Sequence, residues 1–160
     1  MKLNRDYFRS AIFGFQDALV STTGVVVGVA TGSSNKATVI LAGLVTIMVE
    51  SLSMGAGLYL SEKSVHQLDG RHLDLPILDG LIMLVSYFIA GLVPILSIII
   101  FPLNLAIPSA IISSIIGLFT LGWIKAKVIN KNPLRSAIEV SLIGGLSVLL
   151  GLVVGSLLQV

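Results

Sequence analysis

Residues 38–62 read TVILAGLVTIMVESLSMGAGLYLSE, and this stretch decides the fold class. It is long enough to cross a bilayer, because a hydrocarbon core of about 30 Å requires about 20 apolar residues in a helix. Glu50 lies in its middle, and Met54 follows four residues later on the same helix face. A carboxylate at the centre of a membrane helix costs roughly 2.5–3.5 kcal/mol on insertion scales, so Glu50 indicates a functional site.

The composition extends this interpretation to the whole chain. Of its 160 residues, 55% are hydrophobic and 11% are charged, whereas soluble domains carry about a quarter charged residues. We therefore predict an all-α membrane protein with a single domain, residues 1–160, and five transmembrane helices. The predicted spans cover residues 10–30, 38–60, 77–101, 105–123 and 134–158. The absence of cysteine excludes disulfides and thiolate metal sites.

The basic residues are distributed unevenly over the two sides of the predicted bundle. Of the 10 Lys and Arg residues, only Lys36 falls on the side of the first and third loops. Because Lys and Arg are enriched in cytoplasmic loops, this asymmetry predicts a cytoplasmic N-terminus and an external C-terminus. One strongly favoured orientation predicts that any dimer is parallel. The basic residues are thus topology signals, and no nucleic-acid partner is expected.

The first span carries a second carboxylate, Asp17, and no basic residue lies at a similar depth. An unpaired carboxylate in a membrane favours a cation or proton site over a structural role. At a rise of about 1.5 Å per residue, Asp17 and Met54 both lie on the order of 10–12 Å below the cytoplasmic face. Glu50 lies slightly deeper, so the three side chains can meet if the two spans pack together. Met54 alone is equally compatible with ordinary packing.

Small residues recur at helical spacing in three of the predicted spans. In span one, a stripe of small and polar residues recurs at helical spacing: Asp17, Ser21, Gly24 and Gly28. The last two form a G-x-x-x-G pattern, which is typical of close helix packing. Span five has Ser147, Gly151 and Gly155 at the same spacing, which indicates another packing face. Span two carries a stripe of small and polar residues that includes the carboxylate: Ala42, Thr46, Glu50, Ser53, Gly57 and Ser61.

Two carboxylates and one thioether are too few ligands to replace the hydration shell of a divalent ion. A parallel two-fold homodimer with spans one and two at its axis would supply two copies of Asp17, Glu50 and Met54 to one path. The thioether favours a later, softer metal over magnesium or calcium. Because metal ions compete with protons for carboxylates, binding would release protons. The residues thus predict proton-coupled cation transport, with Asp17 and Glu50 as the coupling groups.

Two weaker groups of candidates lie outside this set. Glu62, His66 and Asp69 fall on one face at i, i+4 and i+7 if the second helix continues into the cytoplasm. They are candidate metal-capture ligands, although a solvated helix end is the more ordinary interpretation. Glu139 lies about two turns into span five and can pair with Arg135, so a functional and a structural role both stay open.

Three segments resemble the vacuolar iron transporter family. Residues 15–22, FQDALVST, resemble its first span, and residues 50–61, ESLSMGAGLYLS, resemble its second. Residues 134–136, LRS, which open a last span containing Gly144, are also similar. The resemblance covers about residues 9–158.

This resemblance implies five spans, a homodimer and export of Fe²⁺ or Mn²⁺ from the cytosol in exchange for protons. It places the translocation residues at Asp17 and Met54, and it supports Glu50 in bacterial-type members. Plant and yeast-type members insert a glutamate-rich cytosolic domain between spans two and three, where this chain has a short loop. Many members also have a glutamate where this chain has Leu58. The short loop favours a bacterial or archaeal-type member in a prokaryotic cell membrane. No permanent cofactor is expected, and the metal is the transported substrate.

Two other functions are compatible with the sequence. A proton-coupled antiporter of small molecules could use Glu50 as its coupling site and would not need Met54. A membrane enzyme or a non-transporting scaffold subunit is the other alternative. An enzyme is disfavoured because no serine, histidine and acid set converges and no paired acidic motif accompanies a basic phosphate clamp. We therefore predict a secondary transporter and not an enzyme.

Overall fold

The computed structural model describes residues 5–33, 35–69 and 75–158, and this part of the chain forms five α-helices. All five helices are long and apolar enough to cross a membrane. This confirms the prediction of an all-helical, multi-pass membrane protein. The helices are α1 (Arg5–Gly32), α2 (Lys36–Asp69), α3 (Pro76–Ile100), α4 (Leu103–Val128) and α5 (Pro133–Leu157).

The predicted spans match these helices closely at most ends, and the largest difference is at the end of α2. The apolar run predicted an end at residue 60, whereas α2 continues to Asp69. Similarly, α1 begins at Arg5 and α4 ends at Val128, each several residues beyond the predicted span. The apolar run marks only the hydrocarbon core, while a helix keeps its internal backbone hydrogen bonds after it has left the membrane.

Helix α1 is the centre of the bundle and contacts all four other helices. Its most extensive contacts are with α3 and α5, while α2 packs mainly on α3. Fully buried side chains of α1 and α3, including Leu19 and Tyr87, form a core cluster together with Leu118 of α4. The contact between α1 and α2 is smaller than either helix's contact with α3. Ser21 of α1 and Glu50 of α2 meet at this smaller contact, and both side chains are only half-buried.

The glycine faces of α1 and α5 pack against each other. A Cβ atom on Gly28 would lie 2.9 Å from the carbonyl oxygen of Gly151, and one on Gly24 would lie 3.4 Å from that of Ser147. The small-residue faces that the sequence predicted on span one and span five therefore pack against each other within one chain. Small residues are needed here because the two backbones approach more closely than side chains would allow.

This close contact makes Gly28→Ala a destabilising change. We expect the free energy of unfolding to fall by about 1–3 kcal/mol, because the added methyl group overpacks the contact with α5. Thermal unfolding of the detergent-solubilised protein measures it, and Gly145→Ala on α5 is the matched control, since nothing lies within 4 Å of its Cβ position. In the control, the free energy of unfolding should be unchanged or rise by up to about 1 kcal/mol, because alanine favours the helix more than glycine does. Equal unfolding midpoints for the two variants would contradict the packing.

The two ends of the bundle are held by polar contacts. At the N-terminal end, which carries the start of α1 and α3, the Ser10 hydroxyl donates to the buried Asp79 carboxylate over 3.1 Å. At the opposite end, Lys36 Nζ donates to the carbonyl oxygens of Ile99 and Phe101, both at 2.9 Å. Lys36 thus satisfies carbonyls that the end of α3 leaves without helical partners.

Candidate functional site

Glu50 of α2 lies at the meeting point of three helices. Its Oε2 atom accepts a hydrogen bond from Ser21 Oγ of α1 over 3.1 Å and another from Tyr87 Oη of α3. The two hydroxyl oxygens of Ser21 and Tyr87 are themselves 2.5 Å apart. Tyr87 is fully buried, whereas Glu50 and Ser21 are half-buried. The carboxylate is therefore anchored by two hydroxyl groups and keeps an open side.

Asp17 lies one helical turn before Ser21 on α1, and its side chain is half-buried. Because Ser21 donates a hydrogen bond to Glu50, Asp17 lies on the side of α1 that faces α2. Neither carboxylate forms an ion pair with any Lys, Arg or His in the described part of the chain. The two carboxylates that the sequence singled out thus lie on facing helices, and no basic side chain of the described residues pairs with either. Such a pair is a site that a cation would neutralise.

Met54 lies one turn after Glu50 and is half-buried. Its side chain packs against the core cluster that includes Ala18 and Tyr87. The thioether therefore lies on the side of α2 that faces the other site residues, as the helix spacing predicted. Its contacts are those of a packing residue, and its role as a metal ligand stays a prediction.

Two cavities reach this region from opposite ends. The first, here called the N-terminal crevice, has a volume of about 600 Å³ and is lined by Arg9, Gln16 and Glu62 among others. The second, the α1–α5 groove, has a volume of about 720 Å³ and runs from Ser21 along the glycines of α1 to Thr38 at the opposite end. Asp17 is the neighbour of Gln16 in sequence and lies one turn from Ser21, so it falls between the inner ends of the two cavities.

The predicted capture residues lie at the N-terminal end, on the extension of α2. Glu62 pairs with Arg9 of α1, and only 17% of the Glu62 side chain is exposed. His66 follows one turn later and is half-buried, while the side chain of Asp69 lies outside the described part. Among the side chains that the structure describes, no three His, Asp or Glu residues come close enough to hold a metal ion. Metal capture at this end stays a prediction.

Glu139 is separate from the other candidates. It is an exposed residue of α5, and it forms no ion pair with Arg135, although the two are four residues apart on the same helix. The described contacts of Glu139 therefore do not include the pairing with Arg135 that a structural role would use. No ion pair of the described residues includes Glu139, and the hydrogen bonds of Glu50 come from α1 and α3.

Sequence reasoning did not select Tyr87, although the structure places its hydroxyl group on the Glu50 carboxylate. A signal was available, because a tyrosine in the middle of an apolar span has a hydroxyl group that needs a buried partner. Ser21 was noticed only as part of a stripe of small residues on α1. The pairing of Arg9 with Glu62 was also missed, since 53 residues separate them and both looked like solvated surface charges.

In the described part of the chain, five helices that can cross a membrane hold two carboxylates without an ion-pair partner, and these features define a multi-pass membrane protein. The sequence model of the VIT family matches residues 8–74 and again residues 65–156, so that the two matches together cover nearly the whole chain. This chain belongs to the VIT family, the vacuolar iron transporter family. It is a family of membrane transporters, which supports ion transport and not enzymatic catalysis. No curated protein matches the chain.

Proposed function

We propose that this protein exports a divalent transition metal, Fe²⁺ or Mn²⁺, from the cytosol in exchange for protons. The observation that carries the proposal is a pair of carboxylates in apolar spans, Glu50 bonded to Ser21 and Asp17 one helical turn from Ser21, neither of which has an ion-pair partner among the described residues. Burying charge without compensation is costly, so such a pair is expected to be neutralised by its ligand, a cation or protons.

One chain supplies an incomplete site. Asp17 and Glu50 contribute carboxylate oxygens and Met54 can contribute a thioether, whereas a divalent ion takes about six ligands. A parallel homodimer with α1 and α2 near its two-fold axis would double this set. The thioether favours Fe²⁺, Mn²⁺ or a softer ion over Mg²⁺. The metal is therefore a transported substrate that two chains bind together.

The two cavities suggest the route. With the N-terminus in the cytoplasm, as the distribution of basic residues predicts, the N-terminal crevice would admit the metal past Glu62 and Gln16 to Asp17. The α1–α5 groove would lead from Ser21 to the outside. A carboxylate pair at this depth would exchange its ligand with either side in turn. We place the protein in a prokaryotic cell membrane.

Uptake by proteoliposomes under an imposed pH gradient tests this function. Vesicles with an acidic interior should accumulate Fe²⁺ or Mn²⁺ as protons leave, and a protonophore should abolish the accumulation. Comparing Fe²⁺, Mn²⁺, Co²⁺, Zn²⁺ and Mg²⁺ under the same gradient gives the metal preference, and Mg²⁺ is expected to be the poorest substrate. Uptake that is indifferent to the pH gradient would contradict proton exchange. A failure to take up any of the metals would contradict metal transport.

The α1–α5 groove favours a second candidate function. Its volume of about 720 Å³ falls in the range of small-molecule pockets, about 300–1,000 Å³, and most of its lining is apolar. A proton-coupled antiporter of an organic cation could use such a groove, with Glu50 as the coupling group. Proton flux from the same vesicles separates the two functions. Flux driven by a lipophilic cation but not by metals would favour the antiporter.

A further inference from the structure

The carboxylate of Glu50 is held asymmetrically. Both hydroxyl donors, Ser21 Oγ and Tyr87 Oη, contact the same oxygen, Oε2. No hydrogen bond from the residues that the structure describes reaches the other oxygen, Oε1. One oxygen of the carboxylate is therefore fixed to the protein, and the other is available to a ligand.

The donor on α3 is rigidly placed. Tyr87 is fully buried, and its ring packs in the core cluster with Ala18, Leu19 and Ala90. A tyrosine side chain has few rotatable bonds, so the packing of the ring also fixes the position of the hydroxyl group. Glu50 belongs to a different helix, and its side chain is more flexible because it has more rotatable bonds. The hydrogen bond thus transfers the rigidity of the α3 core to the carboxylate.

We infer that Tyr87 is a positioning residue of the transport site, which holds Glu50 Oε2 so that Oε1 is presented to the metal ion. This inference rests on the proposed function, because it assumes that Glu50 contacts a transported cation. Carboxylates that ligate metals are themselves commonly hydrogen-bonded, and loss of such a partner typically lowers metal affinity by about 10-fold to 100-fold. Ser21 supports the same oxygen through a longer and more exposed contact.

Tyr87→Phe tests the inference, because it removes the hydroxyl group and keeps the packed ring. In proteoliposomes with Mn²⁺ as the probe, we expect KM to rise by about 10-fold to 100-fold while Vmax stays close to that of the wild type. Loss of packing alone would reduce the amount of active protein, and so would lower Vmax at an unchanged KM. An unchanged KM therefore overturns the inference, whatever happens to Vmax. Tyr59→Phe on α2 is the matched control, and its KM should equal that of the wild type.

A second variant keeps the test decisive if Tyr87→Phe does not fold. Tyr87→Leu also removes the hydroxyl group and leaves an apolar side chain in the buried site, and its KM for Mn²⁺ should rise by about 10-fold to 100-fold. Wild-type KM in a folded Tyr87→Leu protein would then overturn the inference. The two levels of proposal fail in different ways. If the wild type takes up no divalent metal, the proposed function fails and the inference fails with it, whereas wild-type uptake with normal KM in the variants overturns the inference alone.

Discussion

Glu50→Gln is expected to reduce metal uptake by proteoliposomes by at least about 30-fold, to near the level of protein-free vesicles. The amide keeps the size of the side chain and an oxygen that can accept from Tyr87 and Ser21, but it removes the negative charge. Removing one partner of a desolvated charge pair costs about 2–5 kcal/mol, and each 1.4 kcal/mol is about tenfold in binding. Initial rates of Fe²⁺ and Mn²⁺ uptake under an acid-inside gradient measure the effect.

Asp17→Asn should cause a loss of the same order, because both carboxylates belong to the proposed metal site. Asp6→Asn at the N-terminal end is the control for removing a carboxylate outside the membrane core, and it should keep most of the uptake. Glu139→Gln decides a separate question, since normal uptake in that variant would remove Glu139 from the candidate site. Normal transport by both Glu50→Gln and Asp17→Asn would contradict the proposed function directly.

Single cysteines on the exposed stripe of α2 are expected to cross-link two chains into a covalent dimer. The chain has no cysteine of its own, so each introduced thiol can pair only with its copy. Ser53 and Gly57 are exposed, and nothing lies within 4 Å of the Cβ position of Gly57. Because small residues at an exposed helix face allow close approach of another helix, this is where a second chain is expected to pack.

Oxidation of Ser53→Cys or Gly57→Cys in proteoliposomes should convert most of the protein to a band of twice the mass on a non-reducing gel. A disulfide requires Cα atoms about 4.4–6.8 Å apart, so efficient cross-linking reports direct contact. Leu142→Cys, on an exposed face of α5, is the control and should stay monomeric. Cross-linking at position 142 but at neither α2 position would show that the chains meet elsewhere, and it would contradict a path lined by two copies of α2.

The five helices of the described part could be predicted from the sequence, and two carboxylates could be located within the predicted spans, because both are local properties. In a membrane each helix satisfies its own backbone hydrogen bonds, so a run of about 20 apolar residues is sufficient to predict a span. Asp17 and Glu50 were identifiable for the same reason, since charges are costly in hydrocarbon wherever the helix packs. The continuation of α2 to Asp69 was left open by the sequence, because hydrophobicity marks the limit of the membrane and not of the helix.

The sequence by itself thus determined the class of protein, its five helices, and the two carboxylates at helical positions that allow them to meet. Only the tertiary structure decided which groups surround them. The packing of α3 against α1 places Tyr87 on Glu50, the approach of α5 uses the glycines of α1, and the meeting of α1 and α2 pairs Arg9 with Glu62. These contacts depend on how helices rotate and pack against one another. Shape complementarity among distant segments sets that rotation, and no single span encodes it.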